Sequence, residues 1–153
     1  MTVTIASLEA MQALGAALAG VAQPGDVIAL SGDLGAGKST LARAILKALG
    51  FAGEVPSPTF ALILPYDPPE VRIPVIHADF YRLEGAMELD ELGLDAGDPA
   101  LLIAEWPERV GGLGGPDTLE LRIAGTDASE RTITAQAGAN WHARWQQVAG
   151  GEF

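Results

Sequence analysis

"VIALSGDLGAGKSTLARAILKALG", residues 27–50, decides the fold. It opens with a short unbroken apolar run, Val27 to Leu30, the signature of a strand buried on both faces. Gly32, four spacers, Gly37, Lys38 and Ser39 follow, a phosphate-binding P-loop pattern. Apolar residues then recur at helical spacing through Leu49, and Gly50 closes the helix. The pattern therefore sits where its mechanism needs it, between a buried strand and a helix. Glycines let successive backbone N–H groups turn inward around phosphate oxygens. The helix N-terminus adds its positive end. Gly32, Asp33, Leu34, Gly35, Ala36 and Gly37 form the cradle. Lys38 is placed to reach β- and γ-phosphates, Ser39 to ligate Mg2+, and Thr40 to add a hydroxyl to the phosphates or to cap the helix. The expected ligand is ATP or GTP with Mg2+. Lys38 and Lys47 are the only lysines, and neither has the neighbours of the guanine-reading Asn/Thr-Lys-x-Asp motif, which tilts the choice to ATP.

The rest of the composition bounds the reading. At 153 residues the chain fits one compact domain, 1–153, with no internal repeat and no linker long enough to divide it. Hydrophobic residues make up 48% and charged residues 19%, which excludes a disordered tail. No apolar run reaches the roughly 18 residues of a membrane span. The first twenty residues lack a basic start and contain Glu9, so they read as mature protein rather than a signal peptide. With no cysteine, disulfides and thiolate metal sites are excluded, and the cytoplasm is the expected compartment. The net charge of −11 argues against direct nucleic-acid binding, because lysine and arginine supply most non-specific affinity for phosphate backbones.

Along the chain, 2–5 reads as a short strand and Ser7 as the cap of a helix carrying Leu8, Met11, Leu14 and Leu18 on one face. Pro56 and Pro58 force extended backbone around Ser57. Strands are expected over 60–66, 71–81 and 100–106, a short acidic helix over 86–94, and a flexible connection at 111–117. Residues 118–125 and 131–138 alternate as a hairpin. A last helix over 140–149 takes Asn140 as its cap, with Trp141 and Trp145 on one packed face. The fold class is α/β: a P-loop NTPase-like three-layer sandwich, with a mixed, mostly parallel central sheet and helices on both faces.

A P-loop gives a class and no reaction; its companion side chains matter next. Such sites hold Mg2+ partly through a strand-end carboxylate and use a further group to orient the attacking water. Two acids end apolar runs, Asp79 in "VIHADFY" and Glu105 in "LLIAEW". Carboxyl ends of strands are where open α/β sheets bind ligands. Thr59, in "SPTF", follows the P-loop helix and is placed to sense a γ-phosphate, as switch-loop threonines do. Trp106 either covers the nucleotide or fills the sheet edge. His77 has no visible partner and reads as a packed strand residue rather than a base. Arg82 and Arg109 are the arginines nearest these motifs.

Taken in order, "GDLGAGKST" (32–40), "SPTF" with a downstream Tyr66, "HADFYRL" (77–83) and "EW" (105–106) resemble the TsaE (YjeE) family, small ATPases of bacterial tRNA threonylcarbamoyladenosine synthesis. The motifs span most of the chain in the family's order. Ala78 departs from the bulkier residue usual after the histidine, a change in packing and not in chemistry. The resemblance implies Mg-ATP binding and an ATPase that is weak alone and dependent on partners. Those partners are the transferase subunit and its paralogous companion in the threonylcarbamoyladenosine complex, so tRNA is met only indirectly. The ATP cycle is expected to reset the transferase between turnovers. By matching motifs, Lys38, Ser39, Thr40, Thr59, Asp79, Glu105 and Trp106 carry over as the nucleotide site, with Glu105, Lys38 and Thr59 catalytic and Ser39, Asp79 and Glu105 around the metal.

Two other classes use the same loop. A small-molecule kinase would pass the γ-phosphoryl to a metabolite, but the chain has no arginine-rich lid segment and no obvious acceptor site. A nucleotide-responsive binding module would need no hydrolysis, and Glu105→Gln separates it from an ATPase.

Overall fold

The computed structural model describes residues 2–33, 35–56, 63–82, 99–125 and 130–151. The strands are β1 (Thr2–Ile5), β2 (Val27–Gly32), β3 (Ile63–Tyr66), β4 (Val75–Asp79), β5 (Leu101–Glu105), β6 (Thr118–Gly125) and β7 (Arg131–Ala137). The helices are α1 (Leu8–Val21), α2 (Lys38–Ala48) and α3 (His142–Ala149). One sheet takes all seven strands in the order β1-β7-β6-β2-β5-β4-β3.

This is the expected α/β P-loop architecture, with one refinement. The sheet is evenly mixed rather than mostly parallel. β2 pairs parallel with β5 and β6, and β4 parallel with β5. The β1–β7, β6–β7 and β3–β4 pairs are antiparallel. The apolar runs 27–30 and 101–104 are the central parallel strands, whereas the alternating hairpin of β6 and β7 carries the sheet outward to an antiparallel edge. Hairpins can be closed by short turns, so alternating sequence and antiparallel pairing go together.

The main core lies on one face. Ile28 and Leu30 of β2, Ile103 of β5 and Leu119 and Leu121 of β6 meet Leu14 and Leu18 of α1, Leu41 and Ile45 of α2, and Trp145 and Val148 of α3. All three described helices therefore contribute to one cluster. A smaller cluster on alternate strand positions joins Ala78, Phe80, Ala104 and Val110. The acidic helix expected over 86–94 lies outside the described residues.

Helix α1 starts as its sequence asks: Ser7 is extended, and its hydroxyl accepts from the Ala10 amide at 3.1 Å. Gly15 lets α1 cross α2 closely, since a Cβ there would stand 2.5 Å from that of Ala44. At the other end of the chain the expected cap is corrected. Asn140 lies in a 3-10 turn, Ala139–Trp141, and its amide donates to Asp117 Oδ1 at 2.6 Å. The side chain satisfies a neighbouring loop instead of α3. That junction is held by Arg144, which makes a two-pronged pair with buried Asp26 at 2.6 and 3.0 Å and lies 4.0 Å over the Trp141 ring. No described helix is long and apolar enough to cross a membrane.

Candidate functional site

Strands β4, β5 and β2 run parallel, so their carboxyl ends share one edge of the sheet. Register places Asp79 beside Glu105, and Glu105 beside Leu30, two residues before the P-loop glycine. The site is thus assembled by strand pairing, before any side chain chooses a conformation.

The loop is shaped by backbone that only glycine takes easily. Gly32 has φ +140°, and a Cβ there would lie 2.3 Å from the Ile123 carbonyl. Gly37, the residue before α2, has φ +117° and makes no side-chain cap bond to the first amides of the helix. Ala36 is buried, and its carbonyl accepts from Arg131 Nε at 2.9 Å. Asp33 contributes its backbone carbonyl to the loop and keeps its side chain exposed. Leu34 lies outside the described residues.

Lys38 is 5% exposed. Its ammonium donates to the carbonyls of Gly32 at 2.7 Å and Asp33 at 2.8 Å, folding the side chain back over the loop. The Trp106 ring lies 4.2 Å from the same nitrogen. Burial pushes the Lys38 amine below its usual range, opposed by the nearby carboxylates of Glu105, Glu108, Asp33 and Asp79.

Glu105 is 2% exposed and occupied at both oxygens. Oε1 accepts from Ser39 Oγ at 2.8 Å, and Oε2 is 2.6 Å from His77 Nε2. Asp79, also buried, accepts from the Tyr81 amide at 2.9 Å through Oδ1. Trp106 continues the ladder with its amide on Leu30 O at 3.1 Å and then turns at φ 61°. Among the described residues it is the one non-glycine with positive φ. Such backbone costs about 1–3 kcal/mol and gathers at functional sites. Here it turns the indole over Lys38 and against Tyr81, with ring centroids 4.9 Å apart. Arg109 lies 4.9 Å over the Tyr81 ring, whereas Arg82 is exposed.

These side chains enclose a cavity of about 240 Å3. Gly35, Gly37, Lys38, Ser39, Thr40, Asp79, Glu105 and Trp106 line it together, and Tyr81 joins them. Tyr81 lies inside the quoted "HADFYRL" segment, where its signal was an aromatic two residues after the acid. His77 does have a partner, Glu105, which the one-dimensional reading missed. Thr59 lies outside the described residues. Hard oxygen donors, one hydroxyl and two carboxylates, suit Mg2+, which takes one or two carboxylates together with phosphate oxygens. Among the described residues no group of three or more His, Cys, Asp or Glu could hold a metal ion alone.

Comparison with known proteins agrees with these motifs. A family model described as "Threonylcarbamoyl adenosine biosynthesis protein TsaE" matches residues 5–133. A Streptomyces coelicolor protein named tRNA threonylcarbamoyladenosine biosynthesis protein TsaE is 38% identical over 138 residues, covering 86% of this chain and 93% of that one. A Bacillus subtilis protein of the same name is 37% identical, covering 83% and 80%. The crystal structure of Bacillus subtilis YdiB superposes with a TM-score of 0.78 and 28% identity, covering 97% of this chain and 93% of that one. With the family match spanning most of the sequence and the loop, strand-end acids and tryptophan all in place, the chain belongs to the TsaE family.

Proposed function

We propose that this chain binds Mg-ATP, hydrolyses it slowly on its own, and works in tRNA threonylcarbamoyladenosine synthesis with partner proteins that carry out the transfer. The pathway rests on family membership. The chemistry rests on one observation: a buried carboxylate, Glu105, held 2.8 Å from the P-loop hydroxyl of Ser39 at the mouth of a cavity roofed by Trp106.

Lys38 supplies the positive charge. On binding, its ammonium leaves the Gly32 and Asp33 carbonyls or shares them with the β- and γ-phosphates. The amides at the start of α2 face the same anion. Mg2+, when bound, neutralises charge on the phosphates. Ser39 and Asp79 hold the metal in this reading, with Glu105 beside them. Glu105 is the group that orients the attacking water, because its Oε1 stands 2.8 Å from the P-loop hydroxyl of Ser39 and it lines the cavity. Trp106 and Tyr81 exclude bulk solvent there.

A cavity of about 240 Å3 suits phosphates rather than a whole nucleotide. A second groove shares Thr40 with it and is lined by Leu8, Gln12, Arg43 and Lys47. In our reading the ribose and base extend into that groove, past Thr40.

The isolated chain is slow because no arginine is among the described residues that line the phosphate cavity. An added arginine finger is worth ~10³ to 10⁵ in rate. Partners therefore either bring one or redirect Arg109. The ATP cycle resets the transferase between turnovers, in the cytoplasm, and this acidic chain leaves tRNA to its partners. Glu105→Gln tests the reading. It should keep ATP affinity while abolishing turnover and sustained tRNA modification in the reconstituted system. Normal turnover by this variant would refute the role of Glu105, and normal modification without turnover would make the chain a nucleotide-responsive binding module.

A further inference from the structure

His77 sits mid-strand in β4, wholly buried, between Leu64 of β3 and Ile103 of β5. It makes one polar contact, Nε2 to Glu105 Oε2 at 2.6 Å. Its other ring nitrogen, Nδ1, is buried without a hydrogen-bond partner. Burying a polar nitrogen unpaired costs stability, and an aliphatic side chain would pack between two aliphatic neighbours without that cost. A histidine kept there on a single contact is explained by what the contact does.

An ionised carboxylate can only accept, so with Glu105 charged the hydrogen in this contact lies on Nε2. The glutamate side chain has three rotatable bonds, and the pull of the Lys38 ammonium is an alternative for both oxygens. Fastening Oε2 from below the sheet edge leaves Oε1 as the oxygen that faces Ser39 and the cavity. We propose that His77 is a positioning residue for Glu105, fixing which carboxylate oxygen meets the nucleotide. The proposal rests on the ATPase reading given above.

Four variants and two readouts test it: His77→Phe, His77→Gln, Glu105→Gln and the double His77→Phe/Glu105→Gln, each measured for Mg-ADP affinity by calorimetry and for single-turnover ATP hydrolysis. Phenylalanine keeps the ring volume and removes the donor. Glutamine restores an amide N–H at about the reach of Nε2. The expected result is near wild-type affinity in His77→Phe and His77→Gln, with hydrolysis by His77→Phe down by about 10- to 100-fold, as for other partners that orient a working side chain. His77→Gln should recover most of that loss. The double variant should be no slower than Glu105→Gln, because there is no longer a carboxylate to position. A His77→Phe enzyme as fast as wild type, no rescue by glutamine, or losses that multiply in the double variant would each overturn the proposal. If Glu105→Gln itself hydrolyses normally, the role of Glu105 falls and takes the proposal with it; if the wild-type chain hydrolyses no ATP, the ATPase reading falls; and damage confined to Glu105→Gln removes only His77. The sequence has two histidines, so the imidazole nitrogen-15 spectrum of the wild-type protein can be read even if a His77 variant fails to fold. It should show a His77 hydrogen on Nε2 whose signal moves in Glu105→Gln. A ring with Nε2 unprotonated, or indifferent to that substitution, would contradict the assignment.

Discussion

Replacing Lys38 with methionine removes the ammonium and keeps an unbranched stem under the Trp106 ring. The size of the effect follows from what the ammonium does before and after binding. In the free protein it donates to two loop carbonyls at 2.7 and 2.8 Å. At about 4 Å from a phosphate charge, in a partly screened site, it contributes roughly 4 kcal/mol. Giving up the two carbonyls costs about 1 kcal/mol each. The net loss is about 2 kcal/mol, or roughly thirtyfold in Kd. Calorimetric titration of Mg-ADP into Lys38→Met, with thermal melts to confirm folding, gives the answer. A folded variant with wild-type affinity would show that the ammonium is not at the phosphates, and the loop assignment would fail.

Three further expectations follow from neighbouring contacts. The Lys38 amine lies below its ordinary 10.5, and phosphate favours its charged form. Nucleotide affinity should therefore fall as pH rises through the alkaline range, with proton uptake on binding, while Lys38→Arg stays flat there; an unchanged wild-type affinity up to pH 10.5 would contradict this. Asp79→Asn keeps an acceptor for the Tyr81 amide but is a poorer ligand for a hard cation. Its ADP affinity should lose the gain that Mg2+ confers and retain the metal-free value, so an intact gain would remove Asp79 from the metal. Arg144→Ala removes the charge partner of buried Asp26, whose Oδ2 still accepts from the Gln23 amide at 2.7 Å. The loss should be about 2–3 kcal/mol, below the roughly 3–5 of a fully buried pair because the arginine is part-exposed. In a thermal melt that corresponds to roughly 5–10 °C, and an unshifted melt would mean the pair contributes nothing.

The parts of the site that lie in one stretch of chain were legible in the sequence. Strand, glycine turn and helix follow each other over 27–50, and each leaves a local mark in residue type or spacing. Asp79 and Glu105 were legible as acids ending apolar runs, because the edge of a parallel sheet is where such ends collect. What strand pairing brings together was not. His77 and Glu105 are 28 residues apart and meet only through the β4–β5 register. Arg131 reaches the Ala36 carbonyl from the opposite half of the sheet, 95 residues away. The left-handed turn at Trp106 has no glycine to announce it. Asn140 shows the reverse failure. Its residue type suits a helix cap, yet tertiary contact with Asp117 claims the amide first. The even mixture of strand directions depends on where β1 and β7 are added at one edge and β3 at the other, and no residue in those strands records the neighbour.

The central claim is that a slow ATPase sits in a site completed by partner proteins. It is tested most directly by single-turnover ATP hydrolysis of the purified chain, alone and after addition of the threonylcarbamoyl transferase subunit and its paralogous companion, with tRNA modification followed in the same mixture. Slow hydrolysis alone, a marked change in rate on adding the partners, and repeated rounds of modification only when Glu105 is intact would be the predicted result. A chain that hydrolyses ATP quickly by itself and ignores those partners would contradict it.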